Sequence, residues 1–334
     1  GQGAWQHSGM PPTPDALRKP RLLVARRLFD EQLAPLEAAF ELVRHDSDSA
    51  LTPAQLAARL QGCWGLLGSG SEAVDADLLA ACPALRAVAL VTVGYNNLDL
   101  PACRARGLLL SNAPGVLTDA TADFALALWL AAARRVGEAE RHLRAGRWQG
   151  WAIDQFAGAP IAGSRVGILG MGRIGSAIAR RARGFGVQLA YCNRGESAEA
   201  AALGAQRLAL PELLAWADHL IVVLPYTAET HHLIGAPELA RMKPTAVLVN
   251  IARGGVVDDA ALAAALRSGR IGAAGLDVFE GEPAVHPGLL ACENALLTPH
   301  IASSTLAARR AMVALAVQNL LAWRRGEPGP TPIP

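Results

Sequence analysis

The stretch RVGILGMGRIG, residues 165–175, constrains the fold of this chain more than any other. An apolar, strand-like run leads into Gly170, Gly172 and Gly175 in GxGxxG spacing, and the helix-compatible SAIARRARGFG follows at once. Glycines of an ordinary strand-to-helix turn would share the spacing. In this setting they instead read as a dinucleotide fingerprint: a tight turn, a backbone that lets a pyrophosphate approach, and a helix N-terminus against which that anion sits. Arg173 and Ile174 open the helix within the same loop.

The rest of the chain repeats a strand–helix alternation, which calls for parallel sheets in an α/β fold. RLLVAR, CWGLLG, RAVALV and GLLLSN are the expected strands of a first doubly wound sheet, separated by helical PAQLAARL and DADLLAAC. RVGILG, VQLAYC, HLIVVL, AVLVN, GAAGLDV and ALLTP are those of a second. Between them a long helix is expected from near Thr118 or Thr121, either of which would cap it, to a stop at Gly146. With 334 residues, two domains are expected, since single cores stop growing at about 250–300 residues. A last helical run covers 303–325.

Composition narrows the class of partner. Just over half the residues are hydrophobic and the formal net charge is +2, which gives no electrostatic basis for binding nucleic acid. No apolar run reaches the ~18–20 residues of a membrane span. Cysteines 63, 82, 103, 192 and 292 are odd in number and form no CxxC pair, so neither a disulfide framework nor a zinc site is expected, and a reducing cytoplasm is the simplest compartment. The opening GQGAWQHSGMPPTPD, rich in Gly and Pro, reads as a flexible leader.

The end of the second cofactor-domain strand carries the next signal. An NAD-specific site has an acid there for the ribose 2′-hydroxyl, whereas an arginine accommodates a 2′-phosphate. YCNR supplies Asn193 and Arg194 instead of an acid. Preference for NADP(H) is therefore expected, with Arg173 a second phosphate contact and NAD(H) the alternative. A solvated surface arginine is the competing reading of Arg194.

Three stretches carry chemistry: VNIARGGVVDD with Arg253, LDVFEGEP with Asp277 and Glu282, and LTPHIASST with His300. Each polar group follows or ends an expected strand of the second sheet, where open α/β sheets bind ligands. Singly, Glu282 and His300 would pass as turn or loop residues. Together they suit hydride reduction of a 2-oxo acid, in which a guanidinium fork meets the carboxylate and carbonyl oxygen and an imidazolium protonates the alkoxide. A neighbouring carboxylate favours the charged imidazole.

With VGYNNLDL added, this ordered set of motifs resembles the D-isomer-specific 2-hydroxyacid dehydrogenase family over residues 21–326. LPYTAETHHLIG and YCNR look most like its glyoxylate/hydroxypyruvate reductase and 2-ketogluconate reductase branch. The resemblance implies a flavodoxin-like substrate-binding domain of residues 1–112 plus 301–334 and a Rossmann NAD(P)-binding domain of 113–300, with the active site in the cleft between them. It implies His300 as proton donor, Glu282 as its carboxylate partner and Arg253 as the substrate-orienting cation. It also implies that the backbone amides of Val93 and Gly94 meet the substrate carboxylate. Thr118, Leu224, Pro225, Ile251, Ala252, Asp277 and Ala302 match positions lining the cofactor. The expected activity is NADPH-dependent reduction of small 2-oxo acids to D-2-hydroxy acids by a homodimer.

Related formate dehydrogenases have glutamine beside the catalytic histidine, so Glu282 points to oxo-acid chemistry. Ala302 departs from the family's usual glycine, which puts a backbone contact to the nicotinamide in question. Trp148 and Trp151 stand where some relatives reach a neighbouring active site, or they pack a dimer core. His231 and His232 have no accompanying Cys/His cluster of ligand spacing, so no metal is expected. Two competing readings remain: a dinucleotide-sensing protein resembling the corepressors built on this scaffold, and a reductase of carbonyls that lack a carboxylate.

Overall fold

The computed structural model describes residues 18–334, and the leader expected at the N-terminus lies outside them. The chain divides into two compact units. One takes the described residues up to Pro114 together with Arg310–Pro334, and the other is Gly115–Arg309.

The first unit alternates β1 (Arg21–Val24), α1 (Asp30–Leu33), β2 (Glu41–Arg44), α2 (Pro53–Arg59), β3 (Cys63–Gly68), α3 (Ala76–Ala81), β4 (Ala87–Leu90), α4 (Leu100–Ala105) and β5 (Leu109–Ser111). Its parallel sheet has the order β2-β1-β3-β4-β5, a flavodoxin-like winding. Local chemistry starts the helices. Thr52 and Gln55 form a capping box around Pro53, and the Asp75 and Asp99 carboxylates accept the Leu78 and Ala102 N–H groups. Leu23, Leu66, Val88, Leu90 and Leu110 build the core on one side with Leu56, Leu78 and Leu79 from the helices. Sequence periodicity does not reveal β2, because ELVR is a short edge strand without a fully buried residue.

The second unit runs α5 (Thr118–Ala133), α6 (Val136–Arg144), β6 (Arg165–Leu169), α7 (Arg173–Ala182), β7 (Gln188–Cys192), α8 (Ala198–Ala202), β8 (Gln206–Arg207), α9 (Leu210–Trp216), β9 (His219–Val222), α10 (Ala236–Arg241), β10 (Val247–Asn250), α11 (Asp259–Arg267), β11 (Ala273–Leu276), α12 (Pro287–Leu290) and β12 (Ala295–Leu297). The parallel sheet has the order β12-β11-β10-β9-β6-β7-β8, so its winding reverses between β6 and β9. Successive strand residues feed opposite cores, as period-two geometry requires. Leu169, Leu220, Val222 and Leu248 join the layer of α9–α12, while Ile168, Ile221, Val247 and Val249 join that of α5 and α7. Burial on both faces explains the unbroken apolar runs in the sequence. The two-residue β8 was too short to show there.

Two expectations about the long helix need correction. It starts at Thr118, but its N-cap is Leu117, and neither Thr118 nor Thr121 caps it with a side chain. It is also two helices. Arg135 turns left-handed at φ 57° and pairs through both guanidinium arms with Glu138, while Ala159 N–H caps the Ala133 carbonyl at 2.9 Å. Gly158 is required there, since an added Cβ would meet the Ala133 oxygen. The last helix, α13 (Leu306–Arg324), lies across the division between the units. Among the described residues, no helix is long and apolar enough to cross a membrane.

Candidate active site

The glycine loop lies at the winding reversal, between β6 and α7. Gly170 takes φ 103°, and its N–H donates to the Cys192 carbonyl at 3.0 Å, tying the loop to the end of β7. Gly175 faces Gly170, and a Cβ there would strike the Gly170 carbonyl. Gly172, the N-cap of α7, has nothing within 4 Å of the place its Cβ would take. The first and third glycines thus serve packing and the second leaves open space beside a helix N-terminus, a shape that fits a pyrophosphate. Arg173 is exposed on the first turn of α7, and Ile174 is half-buried beside it. An added Cβ on Gly115 would lie 3.8 Å from Arg173 Nη1, so the segment leading to Thr118 neighbours this helix end.

Around the loop, Leu224 and Pro225 follow β9, Ile251 and Ala252 follow β10, and Asn193 and Arg194 follow β7. All lie at carboxyl strand ends, and Leu224 Cδ2 borders Gly170. Arg194 is exposed.

Arg253 is placed by the turn after β10. Buried Asn250 accepts the Ala252 N–H at 3.0 Å and donates to the Arg253 carbonyl at 3.3 Å, which shapes the turn. Gly254 is pressed against the Phe279 backbone, leaving no room for a Cβ. Burial pulls the Arg253 guanidinium below the ordinary arginine value and the Glu282 charge pulls it back; it stays a cation at any working pH. A part-desolvated cation of this kind attracts an anion more strongly than a surface arginine does.

His300 and Glu282 meet from separate loops. Glu282 Oε2 lies 2.7 Å from His300 Nδ1, and Glu282 Oε1 accepts the Phe279 N–H at 3.0 Å. Burial raises the Glu282 pKa, but the His300 hydrogen bond and charge, the Phe279 N–H and the Arg253 charge outweigh it, so the carboxyl falls below its ordinary value. An ionised carboxylate only accepts, so Nδ1 carries the proton. His300 Nε2 lies 3.5 Å from Arg253 Nη1, on the other side of the ring.

Asp277 underlies this arrangement. It is fully buried; Oδ1 accepts Thr298 Oγ1 at 2.7 Å and the Ile301 N–H at 2.8 Å, and Oδ2 accepts the Ala302 N–H at 2.9 Å. These bonds clamp a turn in which His300 adopts φ 54°, a left-handed conformation that costs of order 1 kcal/mol or more and persists only where neighbours enforce it. Burial raises the Asp277 pKa against the pull of these donors. The Ala302 N–H is thus committed to Asp277.

Elsewhere, Val93 and Gly94 follow β4 in the first unit, where Asn112 Nδ2 donates to the Val93 carbonyl at 2.8 Å and Thr92 Oγ1 to the Gly94 carbonyl at 2.9 Å. Trp148 and Trp151 are exposed. His231 Nδ1 pairs with Tyr226 at 3.0 Å and stacks on His232. Chain folding gives His232 carboxylate neighbours that spacing could not reveal, with Nε2 at 2.8 Å from Glu280 and Nδ1 at 3.6 Å from Asp258. The three residues have ligand atoms within 4.8 Å of one another. The two ring nitrogens face different carboxylates, so the protein groups partner each other. The Glu280 carboxylate also accepts the Asp259 N–H, and the Asp259 carboxylate accepts the Glu280 N–H, steadying the loop that carries Glu282. Asn250, Glu280 and His232 carry no motif signal of their own; their tasks follow from tertiary contacts.

Comparison with known proteins agrees with this geometry. Residues 126–302 match the family model described as D-isomer specific 2-hydroxyacid dehydrogenase, NAD binding domain. A glyoxylate reductase from Thermococcus onnurineus is 42% identical over 318 residues, covering 94% of this chain and 95% of its own. One from Korarchaeum cryptofilum is 43% identical over 314 residues, covering 92% and 94%. The crystal structure of an NADPH-dependent glyoxylate/hydroxypyruvate reductase from Sinorhizobium meliloti, in complex with NADP and malonate, superposes with a TM-score of 0.84 at 38% identity, covering 94% of this chain and 97% of that one. Fold, motif order and relatives coincide, and the chain belongs to the D-isomer specific 2-hydroxyacid dehydrogenase family of oxidoreductases.

Proposed function

We propose that this protein reduces small 2-oxo acids, glyoxylate first among them, to D-2-hydroxy acids with NADPH. The observation that carries the reading is the chain of contacts Glu282–His300–Arg253, at 2.7 and 3.5 Å, at the carboxyl end of the sheet that bears the glycine loop. When bound, the reduced dinucleotide supplies the hydride. Gly170, Gly172, Arg173 and Gly175 hold its pyrophosphate, and Asn193 and Arg194 face its 2′-phosphate. Arg253 binds the substrate's carboxylate and keto oxygen. His300 Nε2–H, beside Arg253, gives its proton to the oxygen as negative charge develops there. Glu282 keeps Nδ1 protonated, so the ring always presents Nε2 to the substrate, and it stabilises the imidazolium.

Val93 and Gly94 are assigned backbone contacts to the substrate carboxylate. A second copy of the chain is the expected partner, supported by the exposed apolar run Val136, Leu143, Trp148, Trp151 and Ile153, the last two at 80% and 85% exposure. Five free cysteines favour a reducing compartment, the cytoplasm.

The test is NADPH and NADH oxidation measured against glyoxylate, hydroxypyruvate, 2-ketogluconate and an aldehyde without a carboxylate. Glyoxylate turnover is expected with a kcat/KM at least about tenfold higher for NADPH, the equivalent of one charge-assisted contact. Equal values for the two cofactors would remove the preference. Faster reduction of the aldehyde would remove the oxo-acid assignment.

A further inference from the structure

Sequence motifs do not single out Arg207, yet it stands at the point where cofactor choice is set. It ends the two-residue strand β8, in register with Tyr191 of β7. Its exposed side chain reaches the turn after β7, where Nη2 donates to the Arg194 carbonyl at 2.9 Å and to the Asn193 carbonyl at 3.2 Å. In a trans peptide the C=O and N–H point in opposite directions. Both carbonyls are taken up by the Arg207 guanidinium, so the N–H groups of Arg194 and Gly195, on the opposite edges of the same peptides, point away from it. Neither N–H takes part in a backbone hydrogen bond among the described residues. The carboxyl of Glu229 is held below the ordinary range by its own backbone N–H, by Thr227 and by the charge of Arg194. The turn thus presents a cation and two N–H donors, fixed from behind by a second cation.

We propose that Arg207 is a specificity-determining positioning residue, which pins the Asn193–Arg194–Gly195 turn so that its N–H groups and the Arg194 guanidinium meet an adenosine 2′-phosphate. The inference rests on the NADPH reading above and names a residue that the dinucleotide motif does not contain. Its contribution falls on the 2′-phosphate alone, because the turn touches no other part that distinguishes the two cofactors. The chemical class recognised is a ribose 2′-phosphomonoester.

The experiment measures dissociation constants of 2′,5′-ADP, 5′-AMP, NADPH and NADH for the full chain and for Arg207→Gln, Arg207→Lys and Arg194→Gln. Arg207→Gln is expected to weaken 2′,5′-ADP and NADPH by about tenfold while 5′-AMP and NADH stay within about twofold, the loss matching one charge-assisted contact. Arg207→Lys, which keeps the charge but on a shorter side chain that stops short of the two carbonyls, should recover less than half of that loss. Uniform weakening of all four ligands would reduce Arg207 to a structural residue and overturn the proposal. Full recovery with lysine would overturn the pinning. Unchanged 5′-AMP binding certifies that each variant is folded. If the unaltered protein binds NADPH and NADH equally, the NADPH reading fails and this proposal with it. If it discriminates, Arg194→Gln abolishes the discrimination and Arg207→Gln does not, only the assignment of Arg207 fails.

Discussion

His300 Nδ1 and Glu282 Oε2 lie 2.7 Å apart, although 18 residues and two strand-end loops separate them in the chain. The contact assigns the ring proton at Nδ1 and frees Nε2 for chemistry. Replacing Glu282 by glutamine keeps the shape but not the charge, and allows the amide to flip and donate. Reduction should fall about 10²-fold in kcat while NADPH affinity changes little, the scale set by general acid–base catalysis. Steady-state kinetics beside a fluorescence titration of NADPH checks this; an equal fall in cofactor affinity would show that the loop had moved instead.

Asp277 accepts three donors from the His300 turn while fully buried. In Asp277→Asn the amide NH₂ must face an N–H donor, leaving at least one buried group unpaired at a cost of about 1–3 kcal/mol. The expected outcome is a lower melting temperature and a lower kcat, with the substrate KM affected less. An unchanged kcat would mean that the left-handed turn at His300 does not depend on this carboxylate.

Gly175 opposes the Gly170 carbonyl with no space for a methyl group. Gly175→Ala must push the loop away from α7. Overpacking of this kind costs about 1–3 kcal/mol, and dinucleotide affinity should drop with stability. Calorimetric unfolding with and without NADPH reads both. Gly172→Ala, facing open space, should spare stability and lower affinity alone.

His219 supplies a pH dependence. It is fully buried in the second unit, with Nε2 3.0 Å from the Pro160 carbonyl and Nδ1 without a partner among the described residues. Burial pushes its pKa down against the pull of Pro160 and Asp218. The unfolded chain therefore binds more protons below the ordinary histidine value of about 6.5, and stability present above that pH is lost as pH falls toward the depressed folded value. Urea unfolding between pH 7 and 5 should show this decline, and His219→Gln should flatten it. An unaltered slope in the variant would assign the decline to other groups.

Much of this was legible beforehand, and the exceptions share a cause. Unbroken apolar runs mark the central strands and the glycine spacing locates the loop, because both arise from local rules of the chain. Arg253, Glu282 and His300 are legible as a set, since each follows a strand run of one sheet, whereas Glu282 and His300 singly pass as turn or loop residues. The edge strands β2 and β8 were hidden because short, half-exposed pairing leaves no apolar pattern. The break at Arg135 was hidden because it depends on Gly158 packing 23 positions later. The supports of the site, Asn250, Glu280 with His232, and Arg207, act through contacts that only the folded chain creates.

The central claim is that His300 delivers the proton while the dinucleotide site stands independently of it. The most direct measurement is glyoxylate reduction by His300→Ala with saturating NADPH, alongside the NADPH dissociation constant of the same variant. The account predicts a loss of at least about 10²-fold in kcat with the dissociation constant changed by less than about threefold. Undiminished turnover in that variant would contradict it.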